Sequence, residues 1–302
     1  MIFFLTQLLL ATPLVAAYAL FALGIVLIYR ASRVLNLAHG VMAMAPAYAT
    51  HELRSAGVPM VVALALGVGA GALLGAAVEQ VFVRRLRGVS PTAQTVGTVA
   101  VYGLVVAMVA RFLGTAPVTP APVFGDGVIL FGASGISHGQ IGLIVVAAGL
   151  TAGLFAIFEY TSLGLAMRAS ASNRTAAALM GVNPDRTTRV AWMMGGALAA
   201  VAGILLSSVT TLDPFGFPLQ ALPAFVAALI GGLGSMPGAL VGSLVVGLTI
   251  GAVPGVANLP VLGTFASSIG APQAVLALVA FTVMAMRGEK LSASNVRSAG
   301  LS

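Results

Sequence analysis

Acid–base or metal chemistry in this chain would have to come from seven carboxylates and three histidines, because it has no cysteine and a single lysine, Lys290. The carboxylates are Glu52, Glu79, Asp126, Glu159, Asp185, Asp213 and Glu289, each near the edge of an apolar run or in a polar loop. None lies at the centre of a run, where a proton-relaying carboxylate belongs. Glu79 and Glu159 are expected to reach for the membrane interface, and Asp213, before Pro214, to shape a turn. His51 and His138 make no metal-ligand spacing with each other or with a carboxylate, so neither a metal nor a cofactor is expected. His39 differs, because it follows Asn36 and precedes Gly40, which lets another backbone approach the ring. Two readings stand for Asn36 and His39. Either they order the start of the second apolar run or touch a transported solute, or the histidine caps a helix end and bonds a backbone carbonyl.

Nucleophilic and nucleotide chemistry have weaker footing still. Ser235 lies in Gly-Ser-Met-Pro, without the following glycine of a membrane-hydrolase nucleophile turn, and no histidine follows it to act as base. An ATP-binding P-loop needs Gly-Lys-Ser/Thr, so that an ammonium reaches the terminal phosphates. Lys290 follows Glu289 in the tail and completes no such loop. If ATP drives this protein, the nucleotide sits on another polypeptide. The glycines of GGLGSMPG, from Gly231, complete no dinucleotide fingerprint and read as helix packing or a tight turn.

The other concentration of polar residues is Tyr160 to Arg189, the one long polar interruption in the C-terminal half, with Arg168, Arg174, Arg186 and Arg189 between two apolar runs. Ser170 or Ser172 is expected to cap a short helix over Thr175 to Met180, which is rich in alanine, and Gly181 to end it in the left-handed conformation. Asn183 and Pro184 then start a new helix. Two turns of helix between membrane spans bury too little to be stable alone. The small residues Ala176, Ala177 and Ala178 would let another surface come close, which suggests docking. An ordinary connecting loop whose arginines only mark the cytoplasmic side fits equally well.

The spacing Ala176, Ala177, Gly181 is similar to the coupling-loop motif of ABC importer permeases. Together with Asn36-Leu37-Ala38-His39-Gly40, the stretch from Ser162 to Leu206 and Leu233-Gly234-Ser235-Met236-Pro237-Gly238-Ala239, it resembles the permease of branched-chain amino-acid ABC importers, LivH type, across most of Tyr18 to Arg287. At Ser172 and Asn173 the chain departs from acidic residues common in the family. The resemblance implies Ser172, Asn173, Arg174, Ala176, Ala177, Gly181 and Asn183 at the contact with an ATPase, and Asn36, His39, Gly40, Gly234 and Ser235 along a translocation path or gate. It implies a second permease subunit, two cytoplasmic ATP-binding subunits and an extracytoplasmic substrate-binding protein. The implied solute is a branched-chain or related small amino acid. A urea or amide importer and a stand-alone facilitator or secondary transporter are the alternatives.

The elements that must position these residues are membrane spans. A hydrophobic content of 59%, a charged content of 7% and a mean hydropathy of +1.08 separate the chain from soluble domains, whose charged share is about 25%. The expected fold is an all-α polytopic membrane protein of about eight or nine transmembrane helices. Its apolar runs are Leu8 to Ile28, Leu35 to Thr50, Val58 to Val83, Ala93 to Phe112, Ile141 to Phe158, Val190 to Val209, Leu219 to Leu233, Pro237 to Val253 and Pro272 to Met286. The pair around Gly234 is short and reads as a re-entrant hairpin or two broken helices. Residues 1–287 are expected to form the permease domain, with the coupling loop at 160–189, and 288–302 a disordered cytoplasmic tail.

With the N-terminus outside, twelve of the fourteen Lys and Arg residues fall on the cytoplasmic side and only Arg54 and Arg111 fall outside. The net charge of +7 therefore sets orientation, with a cytoplasmic C-terminus, and offers no nucleic-acid surface, while the resemblance implies a bacterial inner membrane. The first run lacks a positive charge before Arg30 and outruns a signal-peptide core, so no cleaved leader is expected. Small residues recur every four positions at Ala63, Gly67, Gly71 and Gly75, at Gly195, Ala199 and Gly203, and at Gly247, Gly251 and Gly255, which marks close helix packing. Gly71 to Val78 is similar to Gly238 to Val245, as in an inverted repeat whose copies run oppositely through the membrane.

Overall fold

The structure, a computed structural model, describes residues 2–86, 88–125, 127–131, 134–253, 271–283 and 285. Asp126, Gly255, Glu289, Lys290 and the tail 288–302 lie outside the described residues. Helices dominate: α1 (Ile2–Ser32), α2 (His39–Ser55), α3 (Met60–Ala77), α4 (Pro91–Phe112), α5 (His138–Tyr160), α6 (Ser162–Ser172), α7 (Arg174–Leu179), α8 (Pro184–Ser207), α9 (Leu222–Gly231) and α10 (Met236–Ala252). An eleventh, α11 (Ala271–Val283), follows. The protein is an all-α polytopic membrane protein. Among the described residues five helices are long and apolar enough to cross a bilayer, namely Ala11–Ser32 of α1, α3 with its extension to Val83, Thr92–Phe112 of α4, α5 and α8.

Breaks in the apolar sequence carry their own caps. Ser90 caps α4 ahead of Pro91, and Ser137 and Gln140 close a capping box on α5. Ser235 accepts from the Gly238 amide at 3.0 Å and starts α10. That bond gives the serine a structural role. The expected pair around Gly234 is a hairpin: α9 and α10 pack with Gly231 against Gly238 and Gly242 against Ala227, joined by a turn with Gly232 at φ 88°.

The bundle is built around α1 and α8. Of their apolar windows 83% and 72% are buried, against 28%, 28% and 22% for α3, α4 and α5. They cross at Gly24 and Gly195, where a Cβ on either would lie 3.1 Å from the other's carbonyl oxygen. α10 packs antiparallel on α1, with Gly247 on Val15 and Gly251 on Ala11. α3 packs antiparallel on α8, with Gly75 on Trp192 and Gly71 on Gly196. The strip Ala63, Gly67, Gly71 and Gly75 is the buried face of α3, so the described small-residue strips pack helices inside this one chain. α3 and α10 consequently run in opposite directions.

One connection departs from the sequence reading. Val128–Phe131 (β1) and Ser134–Ser137 (β2) pair antiparallel between α4 and α5, against the expectation of an all-α fold. The same end of the bundle is tied by a two-way backbone bridge between Val118 and Leu212, both bonds 2.9 Å.

Candidate functional site

Two regions concentrate polar groups: the elbow at α6–α8, and the start of α2. In the elbow a single extended residue, Asn173 (φ −147°, ψ 109°), ends α6 and caps α7 by accepting from the Ala176 amide at 2.9 Å. The expected cap at Ser170 or Ser172 is thereby corrected. Ser172 is the last residue of α6, and the Ser170 hydroxyl pairs with Thr187 at 3.2 Å. Asn wins because its extended backbone aims the side-chain oxygen at the free amides of the next turn. α7 ends as the sequence requires: Gly181 has φ 83°, its amide reaches Ala178 at 3.0 Å and the Val182 amide reaches Ala177 at 3.0 Å. Asn183 then accepts from the Asp185 and Arg186 amides, both at 3.1 Å, with Pro184 behind it.

The exposed face of α7 matches the alanines in part. Ala176 and Ala178 are exposed, but Ala177 is buried beneath the helix. Leu179 and Met180, 85% and 84% exposed, are the large apolar side chains that project outward. Their signal in the sequence was two bulky residues directly before a helix-ending glycine in an arginine-rich loop. A shallow groove of about 620 Å³ runs between α7 and α8, lined by Arg174, Ala178, Gly181, Asn183 and Asp185 among others.

Polar side chains tie the elbow to the spans. Arg174 pairs with Asp185 and donates to the Thr188 hydroxyl at 3.3 Å. Thr188 reaches the Ala31 carbonyl at the end of α1, also at 3.3 Å. Arg84, past the end of α3, lies 3.7 Å from the second oxygen of Asp185. Arg168 holds Glu159 at 3.2 Å and the Phe158 carbonyl. Glu79, expected at the interface, is instead fully buried with Arg189 at 3.7 Å. A neighbouring arginine on α8 compensates the desolvated carboxylate there.

Asn36, His39 and Gly40 form a second buried group. The Asn36 side chain accepts from the Ala38 amide at 3.1 Å and lies 3.0 Å from the Met42 sulfur, while the Leu37 amide donates to Thr98 of α4 at 3.0 Å. The His39 ring packs edge-on to Phe21, centroids 6.1 Å apart, and against Gly24, where a Cβ would come within 2.8 Å of the ring. Phe21 and Gly24 sit near the middle of the Ala11–Ser32 span, so α2 begins deep in the bundle. His39 is fully buried, and neither ring nitrogen meets hydrogen-bond geometry with a partner. Capping at an interface, one part of the plainer sequence reading, is overturned, because the chain re-enters the bundle from Val34 before the helix starts and Ala38 takes the cap position; the backbone group that faces the ring is that of Phe21 on α1.

Leucine at position 39 removes two ring nitrogens, neither of them in full hydrogen-bond geometry, from an apolar site. The thermal stability of the purified His39→Leu protein should therefore hold or rise, and a clear fall in Tm would contradict this packing.

Gly40 packs so closely on the Pro218 carbonyl that a Cβ there would collide with it. Pro218 belongs to a 3-10 turn, Phe217–Ala221, whose next residues line a cavity of about 740 Å³ between α1, α9, α10 and α11. Its walls are mainly apolar, with Tyr18, Gln220 and Gln273 as the polar side chains and no charged residue among the described residues. Gly234 and Ser235 lie apart from this group, in the α9–α10 turn. The sequence signalled neither glutamine, since only the fold brings positions 18, 220 and 273 together. No group of acids and histidines able to hold a metal occurs among the described residues.

The profile of the family "Branched-chain amino acid transport system / permease component" matches residues 8–286. The chain is 28% identical over 255 residues to the high-affinity branched-chain amino acid transport system permease protein LivH of Salmonella typhimurium, covering 79% of this chain and 82% of that one. It is 28% identical over 260 residues to LivH of Escherichia coli, with the same coverage. It is 30% identical over 241 residues to the permease protein BraD of Pseudomonas aeruginosa, covering 74% and 78%. No solved structure matches it significantly.

Proposed function

The chain belongs to the family of branched-chain amino acid transport system permease components, and we propose that it works as the membrane-spanning subunit of an ATP-driven importer for branched-chain or related small amino acids. ATP is then hydrolysed on two separate cytoplasmic subunits, a second permease completes the path, and an extracytoplasmic binding protein delivers the solute. The observation that carries this reading is α7: a doubly capped two-turn helix with Leu179 and Met180 facing outward, whose base is bonded to α8 and, through Thr188, to α1. An isolated helix of this length needs a partner to hold it. The contact is assigned to Ser172, Asn173, Arg174, Ala176, Ala177, Gly181 and Asn183, with Ala177 as a buried support and Leu179 and Met180 added.

The solute path is assigned to the region of Asn36, His39 and Gly40 and to the adjoining cavity with Tyr18, Gln220 and Gln273. Neutral hydrogen-bonding groups in an apolar wall suit an aliphatic solute that carries dipoles or a balanced zwitterion. Gly234 and Ser235 are assigned to the turn that holds α9 against α10 near the gate. Arg84, Arg174 and Arg189 gather at the α7 end of the bundle, and Arg54 ends α2, which runs away from it. This distribution supports a cytoplasmic α7 and an outside N-terminus.

In liposomes the chain alone should move no solute, and the complex with its ATPases, second permease and binding protein should import leucine, isoleucine or valine only with ATP. Flux through the chain alone would establish a facilitator. ATP-dependent import of urea or short amides without branched-chain amino acids would reassign the substrate. Because the chain has no native cysteine, a single one placed at Thr175 reports its side directly, and labelling from outside intact cells would overturn the orientation.

A further inference from the structure

The seam between α3 and α8 carries charged side chains whose arrangement depends on an irregularity in α3. From Val78 to Val83 that helix widens into a π turn, and the Arg84 amide donates to the Glu79 carbonyl at 2.7 Å. On an α-helix, residues five apart point about 140° away from each other, at 3.6 residues per turn. A π turn closes the five-residue step with its own hydrogen bond and brings both ends to one face. Glu79 and Arg84 therefore face α8 together. There Arg189 and Asp185, four apart on an α-helix, also share a face and present the complementary charges in antiparallel order.

Two rungs result: Glu79 with Arg189 and Arg84 with Asp185, both at 3.7 Å. The other oxygen of Asp185 is held by Arg174 of α7. A single carboxylate thus joins the end of α3, the start of α8 and the two-turn helix.

The rungs differ in environment. The Glu79 side chain is 0% exposed and that of Arg189 36%, so the inner rung is the more enclosed of the two. Arg84, Asp185 and Arg174 are 46%, 41% and 44% exposed, and half-exposed pairs of this kind are weak and exchange readily. An outer contact of this kind adds little to stability, yet it keeps the direction of α7 tied to that of α3.

We propose that Asp185, gripped by Arg84 of the π-turned end of α3 and by Arg174 of α7, is the positioning residue that makes α3, α7 and α8 move as one body. This rests on the permease reading above. In the complete transporter, Asp185→Asn should lower the solute imported per ATP hydrolysed about tenfold while ATP hydrolysis continues. Asp185→Glu should keep most of the coupling. Arg84→Gln should give the same loss, and the double variant Arg84→Gln/Asp185→Asn no more than either alone. A merely structural role would instead lower the yield of complex, with import and hydrolysis falling together.

Spin labels on Thr175→Cys and Arg85→Cys give a readout independent of import. Their separation should stay fixed on ATP addition in the otherwise unaltered chain and change when Asp185→Asn is present. An Asp185→Asn complex with unchanged import per ATP, or labels that separate in the unaltered seam, would overturn the proposal. A wild-type complex without ATP-dependent import would overturn the permease reading, and this one with it.

Discussion

Gly181→Pro, or tryptophan in place of Ala177, is expected to cut import by the assembled transporter about a hundredfold while its ATPases continue to turn over, a loss of ~2.7 kcal/mol in coupling. Gly181 sits at φ 83°, which proline cannot adopt, and its amide closes the end of α7 on the Ala178 carbonyl. Losing that bond and that backbone geometry unwinds the last turn, so Leu179 and Met180 no longer project where the cap sets them. At position 177 the side chain is 4% exposed and faces the underside of α7, so an indole there lifts the whole helix off its support. Both changes alter a handle outside the spans, and the spans themselves should fold and assemble. Import and ATP hydrolysis measured side by side in proteoliposomes decide it. Unaltered import from a normally expressed variant would show that α7 transmits nothing.

Leucine at Gly75 or at Gly196 should strongly destabilise the packed protein. A Cβ at Gly75 would collide with the Trp192 carbonyl, and one at Gly196 with the Gly71 carbonyl. These are backbone atoms of the facing helix, which no rotamer change can move aside. The only relief is to part α3 from α8, which forfeits close contacts along the whole interface and costs about 3 kcal/mol or more out of a total stability of roughly 5–15 kcal/mol. Gly69, on the same helix but with nothing within 4 Å of its added Cβ, is the control: Gly69→Ala should be tolerated. The single tryptophan, Trp192, is fully buried at this crossing, so its emission reports the packing directly. A Gly75→Leu protein that retains native Trp192 emission and an unchanged melting temperature would refute this account of the α3–α8 interface.

How much of this was legible beforehand differs between the two regions. Within the elbow the end of α7 and the start of α8 could be read from the sequence, though α6 could not, because such signals act over a few positions: an asparagine or glycine at a helix end satisfies local amides and carbonyls whatever the rest of the chain does. Even so, the cap moved from Ser170 or Ser172 to Asn173, since only the actual bend between α6 and α7 sets which side chain faces the free amides. At the start of α2, Asn36, His39 and Gly40 were recognisable as unusual, but their depth was not. A short polar motif reads the same at an interface as in the interior, and it is the return of the chain beside Phe21 and Gly24 that buries it.

By itself the sequence determined that the protein lives in a bilayer, that close helix contacts run along strips of glycine and alanine, and that its lone lysine follows a glutamate in place of the glycine of a Gly-Lys-Ser/Thr motif. Composition, four-residue spacing and motif chemistry suffice for those conclusions. Only the tertiary structure decided that α1 and α8 are the central pair, that Glu79 and His39 are interior groups, and that Leu179 and Met180, not Ala177, face outward on α7. In a bilayer the lipid-facing side of a helix is as apolar as its packed side, so hydrophobic periodicity cannot tell one from the other. Burial there is assigned by which helix comes to lie against which.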